Sequence, residues 1–146
     1  MVIDPTVEQL RALVRCLPAT EYDVDLDAAI EAHRSQSQFS IVDFATGWKI
    51  DLIIRKPGPF SLAEFDRRAP VDLHGLHLFV ASAEDVVISK FEWAKLGHSE
   101  RQIEDVAALL RIRSEELDRT YMGRWIGDLG LAKQWKDACR LAGIVA

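Results

Sequence analysis

The sequence predicts an α+β protein with a small mixed or antiparallel sheet, flanking helices and an all-helical C-terminal half. Residues 39–44 and 48–54 predict the sheet, because both runs are rich in β-branched and aromatic side chains and a glycine-containing turn separates them. Beyond Ser82 the pattern is helical throughout. We expect one structural domain, in which residues 1–81 form a partial αβ part and residues 82–146 form a helical part packed on it.

Two helices are predicted before the hairpin. Asp4 as the N-cap and Pro5 at the first helical position begin the first helix, whose apolar residues recur at intervals of three and four until Pro18. Asp25 is predicted to cap the second helix, near Leu26 to His33.

Shorter elements follow the hairpin. Ser61 is predicted to cap a short helix that runs through Arg68, and two short strands follow around residues 71–73 and 76–80. The helices after the one that begins at Ser82 are Glu100 to Arg111, Glu115 to Gly130 with a break near Gly123 to Gly127, and Leu131 to Ala142.

The charge balance argues against a protein that holds nucleic acid through its phosphates. The formal net charge is −5 at pH 7, whereas phosphate binding needs a basic face. No apolar run approaches the roughly 20 residues that cross a bilayer, and the N-terminus lacks the segments of a signal peptide. We therefore expect a cytoplasmic protein with neither a membrane nor a nucleic-acid partner.

Asp51 is the first candidate for chemistry because it is a carboxylate within an apolar strand. Alternation along the strand places Lys49 and Asp51 on the same face. One interpretation is a solvated aspartate paired with Lys49 or Arg55. The other is a metal-ligating carboxylate on a rigid strand.

Lys90 is the second candidate, since its neighbours at helical spacing, Val86, Val87 and Ala94, are apolar. Its side chain either extends along the helix to water or reaches a cleft where it meets an anionic group. Arg101 and Asp105 lie four residues apart on the next helix, a spacing that is usually a modest surface salt bridge.

Three segments in order resemble the small bacterial nucleotidyltransferase-like proteins of the polymerase-β superfold, close to the nucleotidyltransferase toxins of abortive-infection systems. They are FSIVDFATGWKIDLII at residues 39–54, ASAEDVVISK at residues 81–90 and RQIED at residues 101–105. The resemblance covers most of the chain from Met1 to about Trp135.

The resemblance implies a nucleotide cleft. In that superfold a Gly-Ser or Gly-Gly turn and a strand with Asp-x-Asp supply a phosphate contact and two metal-binding carboxylates, and a later strand supplies a third, which Asp51 matches. By the same resemblance Lys90 would approach the nucleotide phosphates or the acceptor, and Arg101 and Asp105 would border the cleft. An NTP would be the ligand and Mg²⁺ the cofactor, provided that the upstream carboxylates exist.

The chain departs from this pattern, because neither the turn nor the Asp-x-Asp strand precedes the first helix. Two Mg²⁺ ions beside a triphosphate need several anionic oxygens, which one aspartate does not supply. We therefore expect a nucleotidyltransferase-like protein that is not catalytically competent as written. The alternatives are an active toxin-like enzyme whose start lies upstream, and a non-catalytic interaction module of a toxin–antitoxin pair, with an antitoxin or another protein as partner. A sheet without this strand would expose an edge, which predicts a homodimer.

Overall fold

The computed structural model describes residues 1–97 and 99–145, and it confirms a mixed α+β fold. Seven helices and six strands occur in this part of the chain. The strands form one sheet of four and one sheet of two. Two compact units divide the chain, Met1–Leu62 and Ala63–Ala146. The division into residues 1–81 and 82–146 stays a prediction.

The first unit contains the four-stranded sheet. Its strand order is β1-β4-β3-β2, with β1 parallel to β4 and the other neighbours antiparallel. The elements are β1 (Val2–Ile3), α1 (Val7–Cys16), β2 (Tyr22–Asp23), α2 (Leu26–Ser35), β3 (Gln38–Asp43) and β4 (Lys49–Ile54). The predicted hairpin is therefore confirmed as β3 and β4, and the sheet that contains it is mixed.

The cap of the first helix differs from the prediction. Thr6, not Asp4, caps α1, because its hydroxyl accepts from the backbone N–H of Gln9 while the Gln9 side chain accepts from the Thr6 N–H. This capping box satisfies two helix-end donors at once, and the Asp4 carboxylate instead pairs with Arg55 at 2.8 Å. The predicted cap of α2 is confirmed, since Asp25 accepts from two N–H groups of the first turn.

The core of the first unit is formed by α1, α2 and one face of the sheet. Leu52 and Ile54 of β4 are buried, whereas Ile50, which shares their face by alternation, is 48% exposed, and Trp48, just before the strand, is 73% exposed. Only the C-terminal half of this face of β4 therefore enters the core. The buried residues of the cluster are Leu10, Ala29, Ala32, Phe39, Leu52 and Ile54.

The second unit combines a two-stranded hairpin with helices. Helix α3 (Pro59–Arg67) contains the division between the units and begins at Pro59 rather than behind Ser61, in keeping with the preference for proline in the first turn. The remaining elements are β5 (Ala69–Leu73), β6 (Leu76–Val80), α4 (Ala83–Gly97), α5 (Glu100–Arg113), α6 (Arg119–Asp128) and α7 (Ala132–Ala142).

The helices of the second unit pack around α4, which contacts α5, α6 and α7. Helix α6 begins behind its cap Asp118 and continues through Gly123 and Gly127, where a break was predicted. Neither glycine adopts a positive φ, so both fit a regular helix. In the part of the chain that the structure describes, no helix is long and apolar enough to cross a bilayer.

Candidate functional site

Asp51 lies in the middle of β4, on the face opposite the core residue Leu52. From the paired position on β3, the Ser40 hydroxyl donates to Asp51 Oδ1 at 2.7 Å. Lys49 Nζ lies 3.4 Å from the same oxygen, and the side chains of Lys49 and Asp51 are 58% and 45% exposed. The Ser40 hydrogen bond, with help from Lys49 and against partial desolvation, lowers the pKa of Asp51. The carboxylate is therefore ionised and open to solvent.

Strand β1 borders Asp51 on the side of β4 away from β3. The α-amino group of Met1 donates to the Asp51 carbonyl oxygen at 2.7 Å, and the Ile53 N–H donates to the Met1 carbonyl oxygen at 2.8 Å. Because β1 is parallel to β4 with Val2 opposite Ile53, the side chains of Val2, Ile53 and Asp51 share one face of the sheet. The chain thus begins directly beside the candidate carboxylate.

The residues on this face do not fit the Mg²⁺ that the resemblance implies. Mg²⁺ requires near-octahedral oxygen coordination, usually with more than one anionic ligand in a phosphoryl-transfer site. Here a single carboxylate has an ammonium group 3.4 Å away. Across residues 1–97 and 99–145, no three His, Cys, Asp or Glu side chains converge on a possible metal position.

Asp-x-Asp spacing does occur at residues 23–27, but the structure gives these carboxylates another use. Asp25 Oδ1 accepts from the N–H groups of Asp27 and Ala28 and so caps α2. Asp23 belongs to β2, which is separated from β4 by β3. Asp23, opposite Val42, does share the face of Asp51, but two strand spacings of about 4.8 Å each separate β2 from β4, so Asp23 is too far from Asp51 to share a metal ion with it.

Lys90 reaches from α4 to α5. Its Nζ donates to Asp105 Oδ2 at 2.7 Å and to Gln102 Oε1 at 3.0 Å. The Lys90 hydrogen bond and charge, followed by the charge of Arg101, lower the pKa of Asp105. The anionic group that Lys90 contacts is therefore a side chain of its own unit, and a contact with an anionic group in a cleft stays a prediction. Asp105 takes its hydrogen bond from Lys90, and Arg101 adds only its charge.

The predicted site residues fall into two groups. Lys49 and Asp51 are paired in the first unit, and Lys90 is paired with Asp105 in the second, where Arg101 also lies. A cleft shared by all five residues stays a prediction.

The sequence analysis missed a buried polar cluster around Asp85, which is fully buried in the first turn of α4. Three side chains donate to its carboxylate: Tyr121 Oη at 2.5 Å, Ser82 Oγ at 2.8 Å and Arg67 Nε at 3.2 Å. The Arg67 guanidinium also lies 3.8 Å from the centre of the Tyr121 ring. The chain itself therefore satisfies this carboxylate, which indicates a structural role.

A local signal for the burial of Asp85 was present. Asp85 precedes Ile88 by three residues and Phe91 by six, which places it on the apolar stripe of α4. An acidic residue in the first turn of a helix also fits the helix dipole, so the position of Asp85 has a second explanation in the sequence. Arg67 and Tyr121, however, are 18 and 36 residues away, and helical spacing does not predict contacts at such distances.

No protein-family model, curated protein or solved structure matches the chain. The resemblance to nucleotidyltransferase-like proteins therefore stays a prediction that rests on three ordered segments. The geometry of Asp51 and its neighbours is the physical basis for a proposal about function.

Proposed function

We propose that the chain is a nucleotidyltransferase-like protein that does not transfer nucleotides as the 146-residue polypeptide. The observation that carries the proposal is the environment of Asp51. An ionised carboxylate stands on a rigid strand, at the position that the resemblance assigns to the third metal-binding aspartate, but the Lys49 ammonium lies 3.4 Å from it and no further carboxylate in the described part of the chain converges with it. Phosphoryl-type transfer depends on metal ions and groups held in position, and one aspartate leaves that arrangement incomplete.

The test is a transfer assay with each of the four α-³²P-labelled NTPs, in Mg²⁺ or Mn²⁺, with total RNA and the protein itself as acceptors. We expect no incorporation above background, and no difference between the wild type and Asp51→Asn. Incorporation by the wild type that Asp51→Asn abolishes would overturn the proposal. Thermal unfolding with and without Mg²⁺–NTP measures binding separately from transfer.

The register between β1 and β4 favours a second candidate, an NTP-dependent toxin-like enzyme that forms when β1 continues upstream. With Val2 opposite Ile53, the first residue before Met1 would lie opposite Asp51, and the third would lie opposite Lys49. Both positions share the Asp51 face, because side chains alternate along a strand. Their spacing is that of Asp-x-Asp.

This candidate makes a sharp prediction about the in-frame codons upstream of Met1. They should encode a Gly-Ser or Gly-Gly turn and then aspartates at the third and first positions before Met1. The chain extended by these codons should incorporate label, and Asp51→Asn should abolish the incorporation. An upstream frame without aspartates at those two positions would exclude this enzyme.

A further inference from the structure

Helices α4, α5 and α7 of the second unit contact one another and line a cavity of about 590 Å³. That volume lies within the ~300–1,000 Å³ that is typical of small-molecule sites. Three apolar side chains line the cavity, namely Ala94, Ile103 and Leu141. Charged side chains of both signs line it as well, namely Lys95, Glu100, Glu104, Lys133, Asp137 and Arg140. The cavity therefore suits a small molecule that combines a hydrocarbon part with charged groups.

The basic side chains at this cavity already have partners within the unit. Lys95 Nζ donates to the Leu129 carbonyl oxygen at 2.8 Å. Lys133 Nζ donates to Asp137 Oδ2 at 2.9 Å, and the Arg140 guanidinium lies 3.8 Å from Asp137 Oδ1. An anionic ligand would therefore have to compete with a carboxylate and a carbonyl group for these cations.

Three acceptor groups at the cavity, by contrast, have no donor among the residues that the structure describes. Glu100 and Glu104 lie one helical turn apart on α5, and neither forms an ion pair with a side chain of residues 1–97 or 99–145. Like charges at this spacing repel each other. The third group is Gln134, which lines the cavity and whose Oε1 atom is buried without a hydrogen bond. A buried acceptor without a donor is unfavourable, so a ligand that supplies positive charge and N–H donors matches this cavity.

We propose that this cavity binds an aliphatic diamine. One ammonium group lies between the carboxylates of Glu100 and Glu104 and offsets their repulsion. The other donates to Gln134 Oε1 once the amide turns towards the cavity, while the methylene groups contact the apolar side chains of the wall. A metal ion does not match the cavity as well, because no three His, Cys, Asp or Glu side chains converge in the described part of the chain and the apolar part of the wall offers an ion no ligands. This inference is independent of the proposed function.

Titration of the full chain with putrescine, followed by ¹H–¹⁵N NMR, tests the proposal in about 0.15 M NaCl, which screens non-specific attraction. The side-chain amide signal of Gln134 should shift. Because ion pairs at exposed carboxylates are weak, we expect a dissociation constant on the order of 1 mM. n-Butylamine should bind about tenfold more weakly, because a single ammonium group cannot reach both the glutamates and Gln134. Succinate, which has carboxylates in place of the ammonium groups, should not bind.

Variants of the cavity residues separate the two ammonium positions. Gln134→Met keeps the length of the side chain but removes its acceptor, so the preference for putrescine over n-butylamine should fall to about twofold or less. Glu100→Gln combined with Glu104→Gln should weaken putrescine binding about threefold or more. The matched control combines Glu8→Gln with Glu31→Gln at exposed positions of α1 and α2. It changes the net charge by the same amount and should leave binding unchanged.

Circular dichroism establishes that each variant is folded, and the two glutamine pairs decide the question by themselves where Gln134→Met does not fold. Tighter binding of succinate than of putrescine would overturn the proposal, because the cavity would then be a site for anions. Equal weakening by the two glutamine pairs would also overturn it, since the attraction would then come from the net charge alone. An unchanged preference for putrescine in a folded Gln134→Met would remove the second ammonium position and with it the assignment of a diamine.

Discussion

Two aspartates, one in each unit, share a local pattern and differ in how far they are buried. Asp51 and Asp85 both accept a hydrogen bond from a serine hydroxyl, at 2.7 Å and 2.8 Å. The Asp51 side chain is 45% exposed, whereas Asp85 is completely buried. Water can complete the hydration of the first carboxylate, but the second depends on the donors that the protein supplies. A serine–aspartate pair thus does not identify a functional site by itself. The other neighbours of the aspartate determine whether it is enclosed or accessible.

The remaining neighbours of Asp85 are a cation and a phenol. Arg67 and Tyr121 complete its hydrogen bonds, and the pKa of Tyr121 is raised by burial and by its bond to the Asp85 carboxylate. The neighbours of Asp51, Ser40 and Lys49, lower the pKa of its carboxyl group. They therefore keep the carboxylate ionised at an accessible surface. The second unit encloses its aspartate in a network of hydrogen bonds, and the first leaves its aspartate exposed to solvent.

Removal of the buried carboxylate should have the largest effect. Asp85→Ala leaves the Tyr121 hydroxyl without its acceptor and Arg67 with only its longer ion pair, to Glu84 at 3.8 Å, and loss of one partner of a buried pair costs ~3–5 kcal/mol. Because the Arg67 side chain is 39% exposed, we expect a loss near the lower end, about 3 kcal/mol, in the free energy of unfolding. Urea titration followed by tryptophan fluorescence measures it.

The matched control for this prediction is Asp51→Ala, which should lower the free energy of unfolding of the protein much less than Asp85→Ala. Asp51 has solvent on one side and stands outside the core of its unit. Equal shifts for the two alanine variants would break the distinction between the two aspartates.

Tyr121→Phe should have the next largest effect. It removes one donor from Asp85 without removing the ring, and hydrogen bonds to charged groups contribute ~1.5–3 kcal/mol. We expect a loss of about 2 kcal/mol at pH 7. Tyr22→Phe, in β2 of the first unit, is the matched control and should be neutral.

The dependence of the free energy of unfolding on pH above about 10 provides a second measurement on Tyr121. Its pKa is raised in the folded state from an ordinary value of 10.0, so above pH ~10 the unfolded chain loses this proton while the folded chain retains it. The free energy of unfolding of the wild type should therefore fall as pH rises beyond ~10. The fall should be shallower in Tyr121→Phe, and identical slopes would contradict the assignment.

The elements of the fold were predicted well where the deciding signal is local. The Asp25 cap and the alternation along β4 each depend on a few consecutive residues. The predicted cap of α1 was wrong, because two local signals compete there. Asp4 with Pro5 resembles a helix start, but Thr6 and Gln9 together satisfy two backbone donors. Where several residues near a helix start could act as the N-cap, the one that forms a capping box is therefore favoured.

The candidate site could be predicted only in part for the same reason. Alternation predicts the Lys49–Asp51 pair, but the contribution of Ser40 requires the register between β3 and β4. The Lys90–Asp105 bond joins two helices, whereas residue spacing indicated Arg101, four residues before Asp105, as its partner. Contacts between residues far apart in the sequence depend on tertiary packing, which residue spacing does not predict.

Glu64→Gln should have a smaller effect than Tyr121→Phe, and one that depends on pH. Burial, opposed by the Ser89 hydrogen bond and assisted by the charge of Asp85, raises the pKa of Glu64. Its contribution to stability is therefore complete below its ordinary pKa of 4.5 and declines as pH rises through its folded value. We expect the glutamine variant to be more stable than the wild type at pH 7 and equal to it at pH 4. The matched control is Glu104→Gln, at an exposed position of α5; a gain of the same size there would remove burial as the cause.

The smallest effect should appear at Asp51, as a change in its pKa without a change in folding. Ser40→Ala removes the hydrogen bond that is the largest single cause of the lowered pKa, so the pKa of Asp51 should rise toward its ordinary value of 3.8, and Lys49→Gln should raise it as well. Carboxyl ¹³C NMR titration measures both, with Ser89→Ala as the control that leaves Asp51 unaffected. An unchanged pKa of Asp51 in Ser40→Ala would contradict the assigned cause. Because water can replace the Ser40 hydroxyl at this exposed carboxylate, Asp51 should stay ionised at pH 7 in every variant. The enclosed Asp85 differs in this respect, since water cannot replace a donor that it loses.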